Sequence, residues 1–374
     1  MLFRSNTCPV GVCTQDEKLR AKFEGTPEKV VNLFTFIAEE TRDILASLGV
    51  KSLTEVIGRT DLLSQIDRGG RDLDDLDLNS LLIQADAGGQ ARHCTVEGRI
   101  EVPETLDAQM IQDAKAALEE GEKMQLAYNI RNTHRAIGTK FSSRLVRRFG
   151  MTGLQPGQIT VRLRGSAGQS LGAFAVQGLK LEVFGDANDY VGKGLSGGTI
   201  VVRTMTASPL VTNHNTIIGN TVLYGATAGR LFASGQAGQR FAVRNSGATA
   251  VVEGAGSNAC EYMTGGMIAI LGPVGDNFGA GMTGGMAFVY DPDDAFRLKV
   301  NAETVVWQRV AHPHWEGVLR GLVEEHVAET RSPLGARLLN DWDREIDRFW
   351  QVVPKEMLSR LPVPLGENEA KRAS

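Results

Sequence analysis

The chain has 374 residues, 42% of them hydrophobic and 22% charged, so it can build a sizeable core and is not expected to be disordered. Its net charge of −4 excludes a field that would recruit nucleic acid or an anionic membrane, and no apolar run approaches the length of a membrane span. The first residues, MLFRSNT, lack the apolar core of a signal peptide, and the four cysteines are too scattered for a disulfide framework. A cytoplasmic protein is therefore expected.

Two cysteines lie near the start of the chain, in the stretch SNTCPVGVCTQ. Cys8 and Cys13 are separated by Pro and Gly, as in loops that aim thiolates and backbone N–H groups at an iron–sulfur cluster. Two cysteines cannot hold a cubane-type cluster, which needs three or four. The residues alone therefore leave two interpretations open, half of a cluster site or a loop that binds nothing.

A long helix is predicted next, over GTPEKVVNLFTFIAEETRDILASLG. Thr26 suits the N-cap, Pro27 suits the first helical position, and Gly49 ends the helix. An apolar stripe at helical spacing consists of Val30, Phe34, Ile37, Ile44, Leu45 and Leu48. This face needs a larger surface to pack on, either a missing part of the chain or another protein. Ser52-Leu53-Thr54-Glu55 then resembles a capping box that opens a short second helix.

The following hundred residues or so are mixed. From Asp61 to about Pro103 the sequence is polar and acidic, which predicts an irregular connector that wraps a surface. TLDAQMIQDAKAALEEGEK predicts a helix that ends at Gly121, MQLAYNI predicts a strand, and SSRLVRRFG predicts a short helix closed by Gly150.

The centre of the chain, from about Gln158 to Asp291, is repetitive. Short runs rich in β-branched and aliphatic residues recur between glycines: QITVRLRG, LKLEVFG, TIVVRT, NTVLYG, RLFASG, ATAVVEG, MIAILG and MAFVYD. Gly229, Gly247, Gly266 and Gly285 fall in equivalent places, at spacings of 18, 19 and 19 residues. Such a period predicts a solenoid with glycine at its tight corners. The predicted fold is mainly β, a right-handed single-stranded β-helix.

After Asp293 the composition becomes amphipathic and helical. HWEGVLRGLVEEHVAETRS and PLGARLLNDWDREIDRFWQVV are predicted helices that cap the end of the solenoid, because an open coil must be covered.

Shorter motifs are interpreted as structural. The dinucleotide fingerprint G-x-G-x-x-G occurs at Gly192–Gly197 and Gly279–Gly284, but strands follow where a helix is required, so both are predicted corners. His312-Pro313-His314 lacks a cysteine at ligand spacing and is interpreted as a loop entering a helix. NIRNTHRAIGTK fits either an anion site or a hydrogen-bonded turn. Cys94 and Cys260 are predicted to be unreactive packing residues.

Several long stretches resemble the large subunit of the glutamate synthase family. SNTCPVGVCTQDEKLRAKF, GTPEKVVNLFTFIAEETRDILASLG and EVIGRTDLL are similar to the end of its FMN-binding barrel. Similar to its C-terminal Gly-rich β-helix domain are EKMQLAYNIRNTHRAIGT, TVRLRGSAGQSLGAFAVQGLKLEVFGDANDYVGKGLSGGTIVV, IIGNTVLYGATAGRLFASG and RFAVRNSGATAVVEG. The similarity covers essentially the whole chain after Arg4.

The resemblance implies an enzyme that converts glutamine and 2-oxoglutarate to two glutamates. In that family a glutaminase domain with an N-terminal cysteine releases ammonia, and an FMN barrel reduces 2-iminoglutarate. Electrons arrive through a 3Fe-4S cluster, commonly from a small subunit that contains FAD and oxidises NADPH. The β-helix is a spacer that holds the other domains in register, and neither nucleic acid nor membrane is an expected partner.

The resemblance also assigns one site residue. The family's cluster ligands follow C-x5-C-x4-C, and the third falls on Cys8, whereas the second would fall at Phe3 and the first before Met1. Cys13 lies outside this pattern. Cys8 is therefore the expected cofactor ligand, one of three for the 3Fe-4S cluster, and the chain alone is expected to bind neither cluster nor FMN stably. No catalytic residue is assigned, because Met1-Leu2 offers no N-terminal thiol.

The expected domains are a C-terminal remnant of the FMN-binding (β/α)8 barrel with the iron–sulfur loop (1–60), a connector with helices (61–150), the Gly-rich β-helix (151–292) and the helical cap (293–374). The expected function is that of the C-terminal portion of the large subunit, a scaffold within an oxidoreductase and inactive by itself. One alternative is a stand-alone β-helix assembly subunit that docks onto separately encoded glutaminase and FMN-barrel chains. Another is a β-helix subunit of a different redox complex.

Overall fold

The computed structural model describes residues 10–12, 17–70, 74–205 and 207–366. It divides into two compact units, Met1–Val102 and Pro103–Ser374.

The first unit contains the predicted long helix. A short helix, α1 (Glu17–Arg20), precedes α2 (Pro27–Ser47), whose N-cap Thr26 accepts a hydrogen bond from the backbone of Lys29 at 3.3 Å. The helix buries none of its residues. Its apolar stripe is open to solvent, with Phe34 65% and Val30 54% exposed. The predicted need for a covering surface therefore applies to the structure as well.

The rest of the first unit is irregular. Residues Leu53–Glu55 form a single 3-10 turn in place of the predicted short helix, and the Ser52 side chain caps no backbone group. The capping-box prediction was wrong because Ser52 bonds the Glu55 carboxylate at 3.1 Å instead of a backbone N–H. Among its described residues beyond this turn, only two further 3-10 turns occur, so the irregular structure predicted from Asp61 onward is confirmed.

The second unit begins with three helices around the first strand. They are α3 (Leu106–Asp113), α4 (Lys115–Glu120) and α5 (Thr139–Phe149), and β1 (Met124–Ile130) lies between α4 and α5. The one predicted helix is broken at Ala114 and ends at Gly121, which has the left-handed φ of +73°. Buried Asp107 accepts hydrogen bonds from the N–H groups of Gly138 and Phe141, at 2.8 and 2.9 Å. Burial raises the pKa of this carboxyl group.

A mixed twelve-stranded sheet dominates this unit. The strands after β1 are β2 (Ile159–Ala167), β3 (Leu179–Ala187), β4 (Ser196–Arg203), β5 (Thr216–Ile218), β6 (Ala228–Ser234), β7 (Gln236–Ala237), β8 (Ser246–Val252), β9 (Thr264–Ile270), β10 (Gly284–Tyr290), β11 (Val305–Arg309) and β12 (Phe349–Pro354). Along the main path the order is β1-β2-β3-β4-β6-β8-β9-β10-β12-β11. Pairing is parallel from β1 to β10 and antiparallel on both sides of β12.

A second line of pairing follows the same part of the chain. Ala187 pairs with Ile218, Ile218 with Ala237, and Ala237 with Ala255. Ala255 in turn pairs with Val274. Each repeat therefore pairs with the next along its long strand and again in this second line of pairs.

All the long strands bury one face, and the later strands bury both. One face carries a row of aliphatic residues in register, all in the main core: Leu181, Ile200, Leu231, Ala250, Ile268 and Ala287. Residues on the opposite face of the later strands form a second core with the last helices, α6 (Pro313–Thr330), α7 (Pro333–Asn340) and α8 (Trp342–Glu345). Helix α6 packs on β4, β6, β8 and β9.

Two predicted elements differ from the structure. NTVLYG forms a turn, although a strand was predicted. The prediction was wrong because Val222 and Leu223 are buried, and a buried turn can be as apolar as a buried strand. FWQVV forms β12 instead of continuing a helix, and pairs with β10. The C-terminal helices cover a face of the sheet, and β12 covers the edge of its last parallel strand. The other seven predicted strands of the centre are present.

Candidate functional site: stacked left-handed corners

The one site residue predicted from sequence, Cys8, lies outside the described residues, as does Cys13. Between them, Val10 and Val12 are exposed. The described part of the chain contains no group of three or more His, Cys, Asp or Glu residues that could hold a metal ion. The described residues therefore do not supply the ligand set of a 3Fe-4S cluster.

The two remaining cysteines differ from each other. Cys260 is fully buried, and burial raises the pKa of its thiol, which agrees with its predicted role as an unreactive packing residue. Cys94 is free and exposed, so its prediction as a packing residue was wrong. Connectors usually run along the surface, so a residue within one is more often exposed than packed.

The corners between strands are the most distinctive feature of the second unit. Each of six successive corners has three residues with left-handed φ at alternate positions, which begin at Ser170, Tyr190, Thr221, Arg240, Asn258 and Asn277. Twelve of these eighteen residues are not glycine. The G-x-G-x-x-G segments lie at two of these corners and lead into strands, as predicted. The glycines at the predicted period do not occupy these corners. They lie at strand starts, where the register between neighbouring strands shifts.

Hydrogen bonds explain how L-residues tolerate this conformation. The middle residue of each corner donates its N–H to the preceding corner, as Gly192 does to the Leu171 carbonyl at 2.9 Å. The first residue commonly donates in the opposite direction, as Ser170 does to Asp189 at 2.9 Å. A residue with left-handed φ costs roughly 1–2 kcal/mol of conformational energy. The hydrogen bonds that a corner makes to the corners before and after it offset part of that cost. The corners therefore form a continuous ladder.

Glycine is required where a ring from the neighbouring corner packs on the backbone. A Cβ on Gly194 would lie 2.4 Å from the Phe174 ring, and one on Gly281 would lie 2.3 Å from the Tyr262 ring. Both glycines also have left-handed φ. At these two positions a Cβ would displace the neighbouring ring, and the left-handed φ would add to the cost of a side chain.

A buried polar cluster joins the sheet to the last helices. The completely buried Glu253 carboxylate follows β8 and accepts hydrogen bonds from the hydroxyls of Ser234 at 3.2 Å, Thr212 at 3.2 Å, and Ser332. His326 Nε2 on α6 lies 3.4 Å from the same carboxylate. Ser332 and His326 both face the Glu253 carboxylate and not each other. The cluster therefore lacks the serine–histidine hydrogen bond of a catalytic triad. Its contacts identify it as a structural junction.

Two other motifs have structural roles. His312 is the N-cap of α6, and its Nδ1 accepts a hydrogen bond from the His314 backbone at 3.1 Å, which confirms a loop that enters a helix. His134 Nδ1 accepts one from the Arg131 backbone at 2.9 Å, so NIRNTHRAIGTK contains a hydrogen-bonded turn. None of the described helices is long and apolar enough to cross a lipid bilayer.

Comparison with known proteins identifies the family to which the chain belongs. The family model described as the GXGXG motif matches residues 107–355, most of the chain, and the chain belongs to that family. A second model, the conserved region in glutamate synthase, matches residues 3–51.

The relatives are glutamate synthases. The chain is 72% identical to the glutamate synthase [NADPH] large chain of Azospirillum brasilense, over 96% of its own length and 24% of that protein's. It is 45% identical to the glutamate synthase [NADH] of Schizosaccharomyces pombe, over 98% of the chain and 18% of the relative. It is 44% identical to ferredoxin-dependent glutamate synthase 2 of Synechocystis, over 94% and 23%. The chain therefore matches a glutamate synthase region and spans about a quarter of these relatives or less.

Proposed function

We propose that this chain is the C-terminal portion of a glutamate synthase large subunit and acts as a scaffold between the catalytic domains, without catalysing a reaction alone. In the whole enzyme, glutamine, 2-oxoglutarate and a reductant would yield two glutamates. The observation that carries the proposal is the match of 72% identity along 96% of the chain. The hydrogen bonds between neighbouring corners and between neighbouring strands suit a rigid spacer, because every repeat is bonded to the next.

We further propose that the parallel strands are one side of a right-handed β-helix, spanning 151–292. Support comes from the parallel pairing of successive long strands, between which the described residues form no α-helix, and from the second line of pairing near Ala237. Residues 1–60 would complete an FMN-binding barrel, 61–150 would connect it to the solenoid, and 293–374 would close the solenoid. The exposed stripe of α2 supports the first assignment, because such a face needs a covering surface.

The cofactors and partners are also proposals. FMN and a 3Fe-4S cluster would belong to the whole enzyme, with Cys8 as the position of this chain that matches the ligand pattern. The electron-supplying partner would be an FAD-containing small subunit that oxidises NADPH, since the relative with 72% identity is named for NADPH. The assembly would work in the cytoplasm.

The cysteine assignment gives the sharpest test of this function. Cys8→Ser and Cys13→Ser are introduced into the complete large subunit that carries this chain, and the iron content and electron paramagnetic resonance signal of the cluster are measured. Cys8→Ser should abolish the cluster signal and glutamate formation, and Cys13→Ser should preserve both. Loss of the signal in Cys13→Ser but not in Cys8→Ser would contradict the assignment.

A second measurement addresses the scaffold. The chain alone should form no glutamate from glutamine and 2-oxoglutarate with any electron donor. Turnover by the chain alone would refute the proposal. Activity restored by adding the other domains as separate chains would instead favour the stand-alone assembly subunit.

A further inference from the structure

A charged groove lies on the face of the sheet that α6 only partly covers. Strands β2, β3 and β4 and the end of α6 enclose a cavity of about 300 Å³. Its charged lining residues are Arg162, Lys180, Glu182, Arg203, Glu329 and Arg331. Four cationic groups thus face two carboxylates, which leaves a net charge of about +2 in the groove.

The two carboxylates are already used by two of the cations. Glu182 accepts from Arg162 Nε at 3.0 Å and lies 3.2 Å from Lys180 Nζ. Lys180 Nζ also lies 2.5 Å from Glu329. These contacts hold Lys180 and Arg162 in place and satisfy both acids.

The other two cations, Arg203 and Arg331, are left without an acidic partner. Arg203 ends β4 and its guanidinium lies 4.6 Å from the centre of the Phe184 ring. Arg331 follows α6 with a left-handed φ of +58°. Among the described residues, neither side chain makes a hydrogen bond or an ion pair. Burial first, and then the charge of Arg331, lower the pKa of Arg203, and the attraction of Glu182 offsets only part of this shift.

We propose that this groove binds a small dianion, with Arg203 and Arg331 as its principal ligands. Guanidinium groups offer paired N–H donors that match the oxygens of phosphate and carboxylate, and they do so best where water is partly excluded. The Phe184 ring packs against the Arg203 guanidinium, a contact that helps to hold this cation in place. Phosphate and short dicarboxylates share the required chemistry. The site lies in the second unit and does not depend on the iron–sulfur assignment.

Isothermal titration of the full chain at low ionic strength, with inorganic phosphate and separately with glutarate, tests the proposal. At least one probe should bind saturably with one site per chain, and the better probe shows which oxyanion the groove favours. Arg203→Gln and Arg331→Gln should each weaken this binding about tenfold or more, because each removes charged hydrogen bonds.

Arg244→Gln is the matched control, since it removes one positive charge from an exposed arginine that does not line the groove. It should leave the affinity within about twofold. Absence of saturable binding by both probes would overturn the proposal, as would an equal loss in Arg244→Gln. Arg331 is exposed, and its side chain makes no hydrogen bond or ion pair to a described residue, so its variant stays informative if Arg203→Gln fails to fold.

Discussion

At the scale of single residues, the corners show that left-handed backbone need not be marked by glycine. Leu223, Ala242 and Cys260 occupy the middle position of their corners with φ near +60°, although a side chain disfavours that conformation. Their side chains are buried in the main core. Burial and the bonds to neighbouring corners together hold them there, so the strain is spread along the whole ladder.

Arg244 allows this strain to be measured. It has φ of +54°, is exposed, and its side chain contacts no described residue through a hydrogen bond or ion pair. Arg244→Gly should be more stable than Arg244→Ala by about 1 kcal/mol, because only glycine adopts left-handed φ without penalty. Urea unfolding of both variants gives the difference. A more stable alanine variant would show that the corner is not strained.

The sequence predicted the corners but not the residues that form them. Glycine enrichment and the period of 18 to 19 residues correctly located a repeat. The motif at Asn258, Cys260 and Tyr262 has no glycine, so no composition rule could find its left-handed φ. That conformation is imposed by hydrogen bonds from the neighbouring corners, which a local pattern does not contain. Cys8 was assigned only through family resemblance, since two cysteines do not define a cluster, and its assignment stays a prediction.

At the scale of elements, one row of side chains across the sheet changes from charged to apolar. In register order it consists of Arg162, Glu182, Val201, Phe232, Val251, Ala269 and Phe288. The first two residues face the charged groove, and the rest lie under the C-terminal helices. The row explains where α6 packs, because apolar residues on the outer face require a cover.

The hydrogen bonds of Glu253 should contribute much of the free energy that holds the C-terminal helices on the sheet. Glu253→Ala leaves Ser332, Ser234 and His326 without their shared partner and should cost about 3–5 kcal/mol of unfolding free energy. Hydrogen exchange should accelerate in α6 and α7. Glu324→Ala on α6 is the control, since its pair with Arg320 is exposed and should contribute less than about 1 kcal/mol. Equal losses in both variants would contradict a special role for the cluster.

The elements that sequence reasoning misassigned are apolar segments whose partners lie far away in the chain. FWQVV is consistent with a buried helix or a buried strand, and only its pairing with β10, some sixty residues earlier, decides between them. The long strands were predicted well because alternation and glycine spacing are local signals.

At the scale of the molecule, β12 closes the second unit's row of parallel strands. It lies between β10 and β11, and Val352 pairs with Ala287 on one side and Trp307 on the other. Without it the edge of β10 would be open to other chains.

Val352→Pro tests this closure. Proline removes a ladder hydrogen bond from a central strand, so the variant should be less stable than Val352→Ala by about 3 kcal/mol. Val352→Ala removes side-chain contacts but keeps the N–H. Urea unfolding gives the stabilities, and size-exclusion chromatography should show association only for the proline variant. Two variants of equal stability that both stay monomeric would mean that β12 does not protect the edge.

The corner ladder also determines what kind of length change the second unit can accept. Neighbouring strands lie about 4.8 Å apart, so the seven strands from β2 to β10 on the main path cover roughly 29 Å. Adding or removing one complete repeat would change that distance by a single step and leave all other corners bonded as before. Adding part of a repeat would leave backbone N–H groups of a corner without the carbonyl acceptors that a neighbouring corner supplies. The row of parallel strands can therefore change in length only by whole repeats, in steps of about 4.8 Å.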